Sequence, residues 1–104
     1  MEKVYVCSPF KGLDGDYKKN TEYTKSVAKK IFERGDIPIV PHLLLPQFMD
    51  DTNSSEREKA LIMGLELLDM SNVMEVYCRY GISNGMKNEI IYAESKGKII
   101  RYVE

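Results

Sequence analysis

The sequence predicts an α/β domain with a Rossmann-like, flavodoxin-type three-layer fold of about four parallel strands and three helices. The chain has 104 residues, the size of one domain, so residues 1–104 are taken as a single unit. Runs of β-branched and aromatic residues alternate with segments of helical periodicity. The resulting order, β-α-β-α-β-α-β, is typical of a parallel sheet with right-handed crossovers.

The first strand is the run Lys3–Cys7, which Ser8 and Pro9 end. A loop with two glycines leads to a helix from about Tyr17, which ends before Gly35. The spacing of its less polar residues predicts one buried stripe. That stripe comprises Tyr23, Thr24, Val27, Ala28, Ile31 and Phe32.

The second strand is predicted over residues 37–41, at a sheet edge because Pro38 cannot donate a ladder hydrogen bond. Residues 42–53 show no clear period and predict a long loop, a kind of segment that is often functional. Ser55 with Glu58 has the pattern of a capping box and predicts the start of the second helix. One face of this helix is expected to carry Leu61, Gly64, Leu65 and Leu68.

The third strand is predicted over residues 73–78, the third helix from about Asn84 to Lys96, and the last strand over residues 98–103. Gly97 stops the third helix. Ligands of such sheets bind outside the carboxyl ends of the strands, where the strand order reverses. The loops of interest are therefore residues 8–16, 42–53 and 79–89.

Composition narrows the class of partner. The chain is 43% apolar and 30% charged, with 15 Lys and Arg against 16 Asp and Glu. This balance favours a soluble cytoplasmic protein, and it argues against disorder and against an extended nucleic-acid surface. No apolar run approaches the roughly 20 residues that cross a membrane. Cys7 and Cys78 lie far apart in strand-like runs, which predicts reduced, buried thiols and neither a metal site nor a cofactor.

Glu89 is the most informative residue. Met86, Ile90 and Ala93 mark the buried stripe of the third helix, and the spacing places Glu89 on or beside it. A partly desolvated carboxylate at the carboxyl edge of a sheet suits nucleophilic or general-base chemistry. The alternative is a glutamate in the first turns that merely interacts favourably with the helix dipole.

Two segments could bind an anion. Ser83, Asn84 and Gly85 precede the third helix, whose free backbone N–H groups form an anion site, although Ser83 is equally well read as an N-cap. Ser8, Lys11 and Gly12 follow the first strand, where phosphate-binding loops lie. Neither GxGxxG nor GxxxxGK[ST] is present, so the sequence supports no dinucleotide or P-loop assignment.

These motifs together resemble the nucleoside 2-deoxyribosyltransferase-like superfamily, with most similarity to a small branch found in bacteria and phages. The resemblance covers nearly the whole chain. It rests on Cys7-Ser8-Pro9, on the run from Pro41 to Asp51 (PHLLLPQFMDD), and on the run from Ser83 to Glu89 (SNGMKNE). It implies that Glu89 is the nucleophile that takes the sugar and that Tyr5 positions it, although by itself Tyr5 is more simply a residue of the strand.

The resemblance extends to the hydrolases of 2′-deoxynucleoside 5′-monophosphates. These carry a serine six residues before the glutamate, where this chain has Ser83, and a serine and an arginine in the first loop, where it offers Ser8 and Lys11. It implies that Ser8, Lys11, Gly12, His42, Ser83, Gly85 and Met86 contact the substrate. His42 is otherwise a lone histidine in a loop.

One departure concerns the acid that protonates the leaving base. Where the family carries two aspartates, an ungapped alignment places Gly64 and Asn72. Glu66 or Asp69 would replace them only through a one-turn shift, and His42, Asp50 or Asp51 are the other candidates.

The leading hypothesis is an N-glycosidase or deoxyribosyltransferase that acts on a nucleoside 5′-monophosphate, as a homodimer or larger homo-oligomer. The alternatives are a non-catalytic nucleotide-binding protein that uses the same pocket and a purely structural interaction domain.

Overall fold

The computed structural model describes residues 1–104 and contains four strands and four α-helices. The strands are Lys3–Cys7 (β1), Ile37–Ile39 (β2), Val73–Tyr77 (β3) and Ile99–Val103 (β4). The helices are Tyr17–Glu33 (α1), Pro41–Leu44 (α2), Ser54–Asp69 (α3) and Asn84–Ser95 (α4), and a 3₁₀ turn, Leu45–Gln47, follows α2. The predicted α/β fold is confirmed.

All four strands are parallel, in the order β2-β1-β3-β4. Pro38 lies on β2 at the edge of this sheet, as predicted, where its missing N–H breaks no ladder. The order reverses between β1 and β3, whose carboxyl ends stand side by side. This is the crevice in which open α/β sheets bind ligands.

The two faces of the sheet carry separate cores. Val4 and Val6 of β1 pack with Val27 and Ile31 of α1. Tyr5 and Cys7 point to the opposite face, where they join residues of α3 and α4: Leu68, Met86, Ile90 and Ala93. The strand's alternation of side chains therefore directs Tyr5 and Cys7 towards α4.

The segment predicted as a long loop, residues 42–53, is partly helical. Its first residues belong to α2, so the count of three helices was one too low. Pro41 occupies the first turn of α2, where its missing N–H and fixed φ are favourable, and β2 accordingly ends at Ile39. Short helices of four residues leave no periodicity for sequence reasoning to detect.

Three details of the predicted helices were also wrong. Asn53, and not Ser55, caps α3, with Oδ1 accepting a hydrogen bond from the Glu56 backbone N at 3.1 Å; asparagine is as good an N-cap as serine. Phe32 and Leu61, assigned to buried stripes, are 72% and 68% exposed. Each lies at the border of its stripe, where periodicity alone does not decide burial.

A buried carboxylate on the face of the sheet that packs against α1 links several neighbouring side chains. Glu75 of β3 is only 3% exposed. Its oxygens accept hydrogen bonds from Arg34, Arg101 and the Tyr77 hydroxyl. Burial raises the pKa of Glu75, but the bonds from Arg34 and Tyr77 outweigh burial and hold the pKa below its ordinary value.

No helix is long and apolar enough to span a membrane.

Candidate active site

Tyr5 and Glu89 meet in the core between β1 and α4. The Tyr5 hydroxyl donates a hydrogen bond of 2.6 Å to Glu89 Oε2, across a sequence separation of 84 residues. Met86 and Ile90, on the same face of α4, are buried, and Glu89 between them is partly buried. The helical spacing thus turns a carboxylate inward, beside the carboxyl edge of the sheet.

Cys7 lies near this carboxylate and favours its ionised form. It follows Tyr5 by two residues on β1 and so points to the same face. Its thiol donates to the Met86 carbonyl oxygen at 3.8 Å. The contact was not anticipated from the sequence, in which Cys7 reads as an inert core residue.

Burial and these two donors set the electrostatics of the pair. Burial raises the pKa of Glu89, and the hydrogen bonds from Tyr5 and Cys7 offset only part of that rise. Burial, followed by the charge of Glu89, raises the pKa of Tyr5 and of Cys7 far above their ordinary ranges. Both groups therefore keep their protons and act as donors while Glu89 is ionised.

The N-terminus of α4 lies next to this pair. Ser83 caps the helix, since its Oγ accepts a hydrogen bond from the Met86 backbone N at 3.3 Å. Gly85 stands in the first turn, and a Cβ built there would meet only Ser83 Oγ, at 4.0 Å. Free backbone N–H groups at such a terminus, with the helix dipole, favour an anion.

The first loop is fixed by residues that sequence reasoning missed. Ser8 is fully buried, and its hydroxyl is bonded to Thr24 of α1 at 2.9 Å. Asn20 Nδ2 donates to the carbonyl oxygens of Phe10 and Lys11. The sequence predicts Thr24 only as a member of the buried stripe of α1, and the sequence analysis does not single out Asn20.

The hydrogen bonds from Asn20 to the first loop explain why residue 12 is a glycine, and Lys11 lies beside it on the same loop. Gly12 has φ of +69°, and a Cβ there would come within 2.7 Å of Asn20 Nδ2, so glycine is required. Lys11 is exposed on the same loop. The loop is therefore held rigidly while its one nearby cation stays free to reach a ligand.

His42 reaches the first loop from α2. Its ring stacks on Phe10, with 5.3 Å between centroids. Burial lowers the pKa of His42 to about 4, against the Ser8 carbonyl and the Asp51 charge, which favour the protonated form. At neutral pH the imidazole is therefore uncharged. It can hydrogen-bond to a ligand but is poorly suited to be the acid considered above.

The positions expected to carry acids lie apart from each other. Gly64 of α3 faces the pair, because a Cβ built there would lie 4.0 Å from the Tyr5 hydroxyl. Asn72 lies at the opposite, amino end of the sheet, where it exchanges two hydrogen bonds with the Lys3 backbone. Asn72 precedes β3 and therefore lies apart from the carboxyl ends of the strands.

The remaining acids are engaged elsewhere. Asp69 accepts two hydrogen bonds from the Tyr92 hydroxyl on the exterior, and Glu66 is exposed. Asp50 accepts from the backbone and hydroxyl of Thr52. None of these three carboxyl groups is hydrogen-bonded to Glu89 or Tyr5, whereas the charge of Asp51 acts on His42.

Other features of the surface lie away from this pair. One cavity of about 150 Å³ lies between Phe48 and α3, and another of about 240 Å³ lies beside Glu75 and Arg79. Neither has Tyr5 or Glu89 in its wall. Cys7 and Cys78 are free thiols, the first buried and the second partly exposed. No three His, Cys, Asp or Glu residues form a cluster able to hold a metal ion.

Comparison with known structures supports the fold. The chain is similar to a 2-deoxyribosyltransferase from the psychrotolerant bacterium Bacillus psychrosaccharolyticus, with a TM-score of 0.77 and 15% identity. The match covers 96% of this chain and 70% of that chain. At this identity the likeness establishes a shared fold. No curated protein sequence matches the chain.

Comparison with sequence families extends over the same elements. One family model, described as a domain of unknown function (DUF7768), matches residues 2–103. The match runs from the residue before β1 to the last residue of β4, so it includes both partners of the Tyr5–Glu89 hydrogen bond. The chain therefore belongs to the DUF7768 family.

Proposed function

We propose that this protein cleaves the N-glycosidic bond of a nucleoside 5′-monophosphate with Glu89 as the nucleophile, as an N-glycosidase or a deoxyribosyltransferase. The observation that carries the proposal is the 2.6 Å hydrogen bond from Tyr5 to Glu89. It fixes a desolvated carboxylate at the sheet crevice and leaves one of its oxygens free of Tyr5. A carboxylate held in this way is suited to attack an anomeric carbon.

The reaction is a double displacement that retains configuration at the anomeric carbon. Glu89 attacks C1′ as the base departs, and a glycosyl ester forms. Water, or a second base in a transferase, then attacks C1′ and releases the carboxylate. The hydrogen bond from Tyr5 and the nearby Cys7 thiol favour the ionised form of Glu89 before the first step and again after the second.

The substrate's phosphate would bind between the N-terminus of α4 and Lys11. The backbone N–H groups at that terminus and the exposed cation of the first loop support an anionic group there. Ser8 would contribute through its backbone, because its hydroxyl is already bonded to Thr24. Gly85 and Met86 would line the site from α4, and the second ring nitrogen of neutral His42 would accept a hydrogen bond from the ligand.

Self-association is part of this proposal. Exposed apolar side chains on α3 and α4, among them Ile62, Met63 and Ile91, support a homodimer or larger assembly. Sedimentation equilibrium over a range of concentrations tests this directly. A protein that stays monomeric at the highest concentration measured would contradict it.

A second candidate function is non-catalytic nucleotide binding at the same pocket. The observation that favours it is Gly64, which places no carboxyl group beside the Tyr5 hydroxyl. Saturable binding without any product would support this function over the enzyme.

The test is a chromatographic turnover assay on nucleosides and their 5′-monophosphates, with Glu89→Gln in parallel. We expect the wild type alone to release free base, and to prefer monophosphates. Equal release by the Glu89→Gln variant would contradict the nucleophile. Release from nucleosides but not monophosphates would keep Glu89 and reject the phosphate site.

A further inference from the structure

No group near Glu89 is placed to give a proton to a departing base. Tyr5 already donates to Glu89 and Cys7 to the Met86 carbonyl oxygen, and both hold their protons tightly. Besides burial, these two groups alone act on the pKa of Glu89. Gly64, on the third side of the pair, has no side chain.

The elements around the pair carry other titratable groups, none of which acts on the pKa of Glu89. On the first loop, Asp14 is paired with Lys19 and Asp16 caps α1. After β3, Arg79 lies over the Tyr23 ring and Tyr80 lies under Lys19. From α2 comes neutral His42, and on α3 Asp69 is bonded to Tyr92.

Glu89 also lacks a cation. It forms no salt bridge, and its desolvation is offset only by two neutral donors. A buried carboxylate of this kind is stabilised by an opposite charge placed within a few ångströms. A ligand that brings such a charge would therefore bind favourably and would favour ionisation of the nucleophile.

We propose that the base of the substrate is itself cationic, as in an N-linked pyridinium or an N7-alkylated purine, so that it leaves without protonation. This inference rests on the function proposed above and names its substrate class. A cationic base supplies the charge that the site lacks and removes the need for the acid that the site lacks. One chemical property of the ligand thus answers both observations.

The chemistry balances without a proton donor. A Glu89 oxygen forms a bond to C1′ while the bond from C1′ to the ring nitrogen breaks. The electron pair of that bond stays on the ring and neutralises its positive charge, so a neutral base departs. Water then attacks C1′, the ester bond breaks with its electron pair returning to the carboxylate, and the proton of water passes to solvent.

The test compares probes that differ in ring charge. Guanosine 5′-monophosphate and its N7-methyl derivative form one pair, and nicotinamide mononucleotide and its neutral 1,4-dihydro form make another, each in ribo and 2′-deoxyribo forms. Rates with Glu89→Gln are subtracted as background. We expect kcat/KM to be at least about 100-fold higher for the cationic member, the lower end of what a general acid contributes.

The pH profile supplies a second criterion. For cleavage of nicotinamide mononucleotide we expect the rate to rise as Glu89 ionises and then to stay level. A bell-shaped profile would reveal an essential acid and overturn the inference. Cleavage of neutral and cationic probes at rates within tenfold would also overturn it, while leaving the proposed function intact. If the wild type cleaves none of the probes, both proposals fall.

A measurement without turnover tests the same idea. In the wild-type protein with ¹³C-labelled glutamate, a carbocyclic analogue of nicotinamide mononucleotide, which has no N-glycosidic bond to cleave, should lower the pKa of Glu89, whereas its dihydro form should not. Equal shifts, or no shift with the bound cationic analogue, would count against a cationic base next to the carboxylate.

Discussion

Tyr5 donates its hydroxyl proton to Glu89 from the middle of β1, in a hydrogen bond of 2.6 Å. Burial would otherwise favour the neutral form of this carboxyl group, and the pKa of Glu89 is indeed raised. The donor thus works against burial. Its strength decides what fraction of Glu89 is ionised, and therefore nucleophilic, near neutral pH.

Replacing Tyr5 by Phe should shift the acidic limb of activity to higher pH. The phenol bond lowers the pKa of Glu89, so its loss raises that pKa and leaves less carboxylate. A hydrogen bond to a charged group contributes about 1.5–3 kcal/mol, so we expect kcat/KM at pH 6 to fall about 10- to 100-fold. The rate should partly recover at higher pH, where Glu89 ionises without help.

The matched control is Tyr102→Phe on β4, which removes an exposed phenol. It should leave the pH profile unchanged. A Tyr5→Phe variant with an unshifted acidic limb would show that the phenol does not tune Glu89.

Cys7→Ala should act in the same direction as Tyr5→Phe, but less strongly. A thiol is a weak donor, so we expect a smaller upward shift of the acidic limb. Cys7→Ser keeps a donor, so the acidic limb of its pH profile should lie at lower pH than that of Cys7→Ala. Cys78→Ala serves as control, because its thiol bonds to the Val76 carbonyl oxygen instead. Identical profiles for Cys7→Ala and Cys7→Ser would refute a positioning role for the thiol.

Glu89→Gln should stabilise the protein at neutral pH. Because the folded pKa of Glu89 is raised, the protonated carboxyl group contributes to stability at low pH. That contribution is lost as pH rises through the folded pKa and the buried group ionises. The neutral amide escapes this cost while still accepting from Tyr5. We expect a gain at pH 7 on the order of 1 kcal/mol, typical of relieving a functional site.

Urea unfolding at pH 4 and pH 7 checks this. The advantage of Glu89→Gln should be larger at pH 7. A variant that is less stable than the wild type at pH 7 would show that the ionised carboxylate stabilises the fold, contrary to this prediction.

Asn72→Ala should reduce stability but leave activity unchanged. Asn72 Oδ1 accepts a 2.7 Å hydrogen bond from the Lys3 backbone N at the amino end of the sheet. Its loss should cost about 1 kcal/mol, seen as a lower midpoint in urea. kcat/KM should stay within twofold, and a larger loss would place Asn72 in the site after all.

Much of the fold could be predicted from the sequence because alternation and helical spacing are local patterns. The four strands, the edge position of Pro38 and the inward turn of Glu89 all follow from spacing within a few residues. The short α2 and the Asn53 cap were missed, since a single turn carries no period and several residue types cap equally well.

The candidate site was less predictable because its contacts join distant residues. The sequence predicts that Cys7 points inward, as a core residue of a strand does. No pattern among its neighbours in the sequence indicates that a carboxylate lies opposite it. The sequence indicates only that Asn20 and Thr24 lie on a helix. Their hydrogen bonds to the first loop become visible only in the structure. The ungapped alignment puts Asn72 directly before the third strand, where the structure has it, but an alignment does not say at which end of the sheet a residue lies.

Glu75→Gln should destabilise the fold above pH 4.5 and progressively less below it. The folded pKa of Glu75 lies below its ordinary value of 4.5, so its contribution is present above that value and is lost as pH falls through the folded pKa. Removing one partner of a buried pair costs about 3–5 kcal/mol. Here Arg34 and Arg101 are 40% and 44% exposed, so water compensates in part and we expect about 2 kcal/mol.

The control for Glu75→Gln is Glu2→Gln, which removes the other carboxylate bonded to Arg101. That pair is exposed, so its loss should cost at most about 1 kcal/mol. Chemical denaturation of both variants between pH 3 and pH 7 makes the comparison. A Glu75→Gln cost that stayed constant over this range would show that the charge of Glu75 is not what stabilises β3 against β4. The loss of an acceptor would then have to account for the cost, because glutamine keeps the shape of glutamate but replaces one of the accepting oxygens of Glu75 by an NH₂ donor.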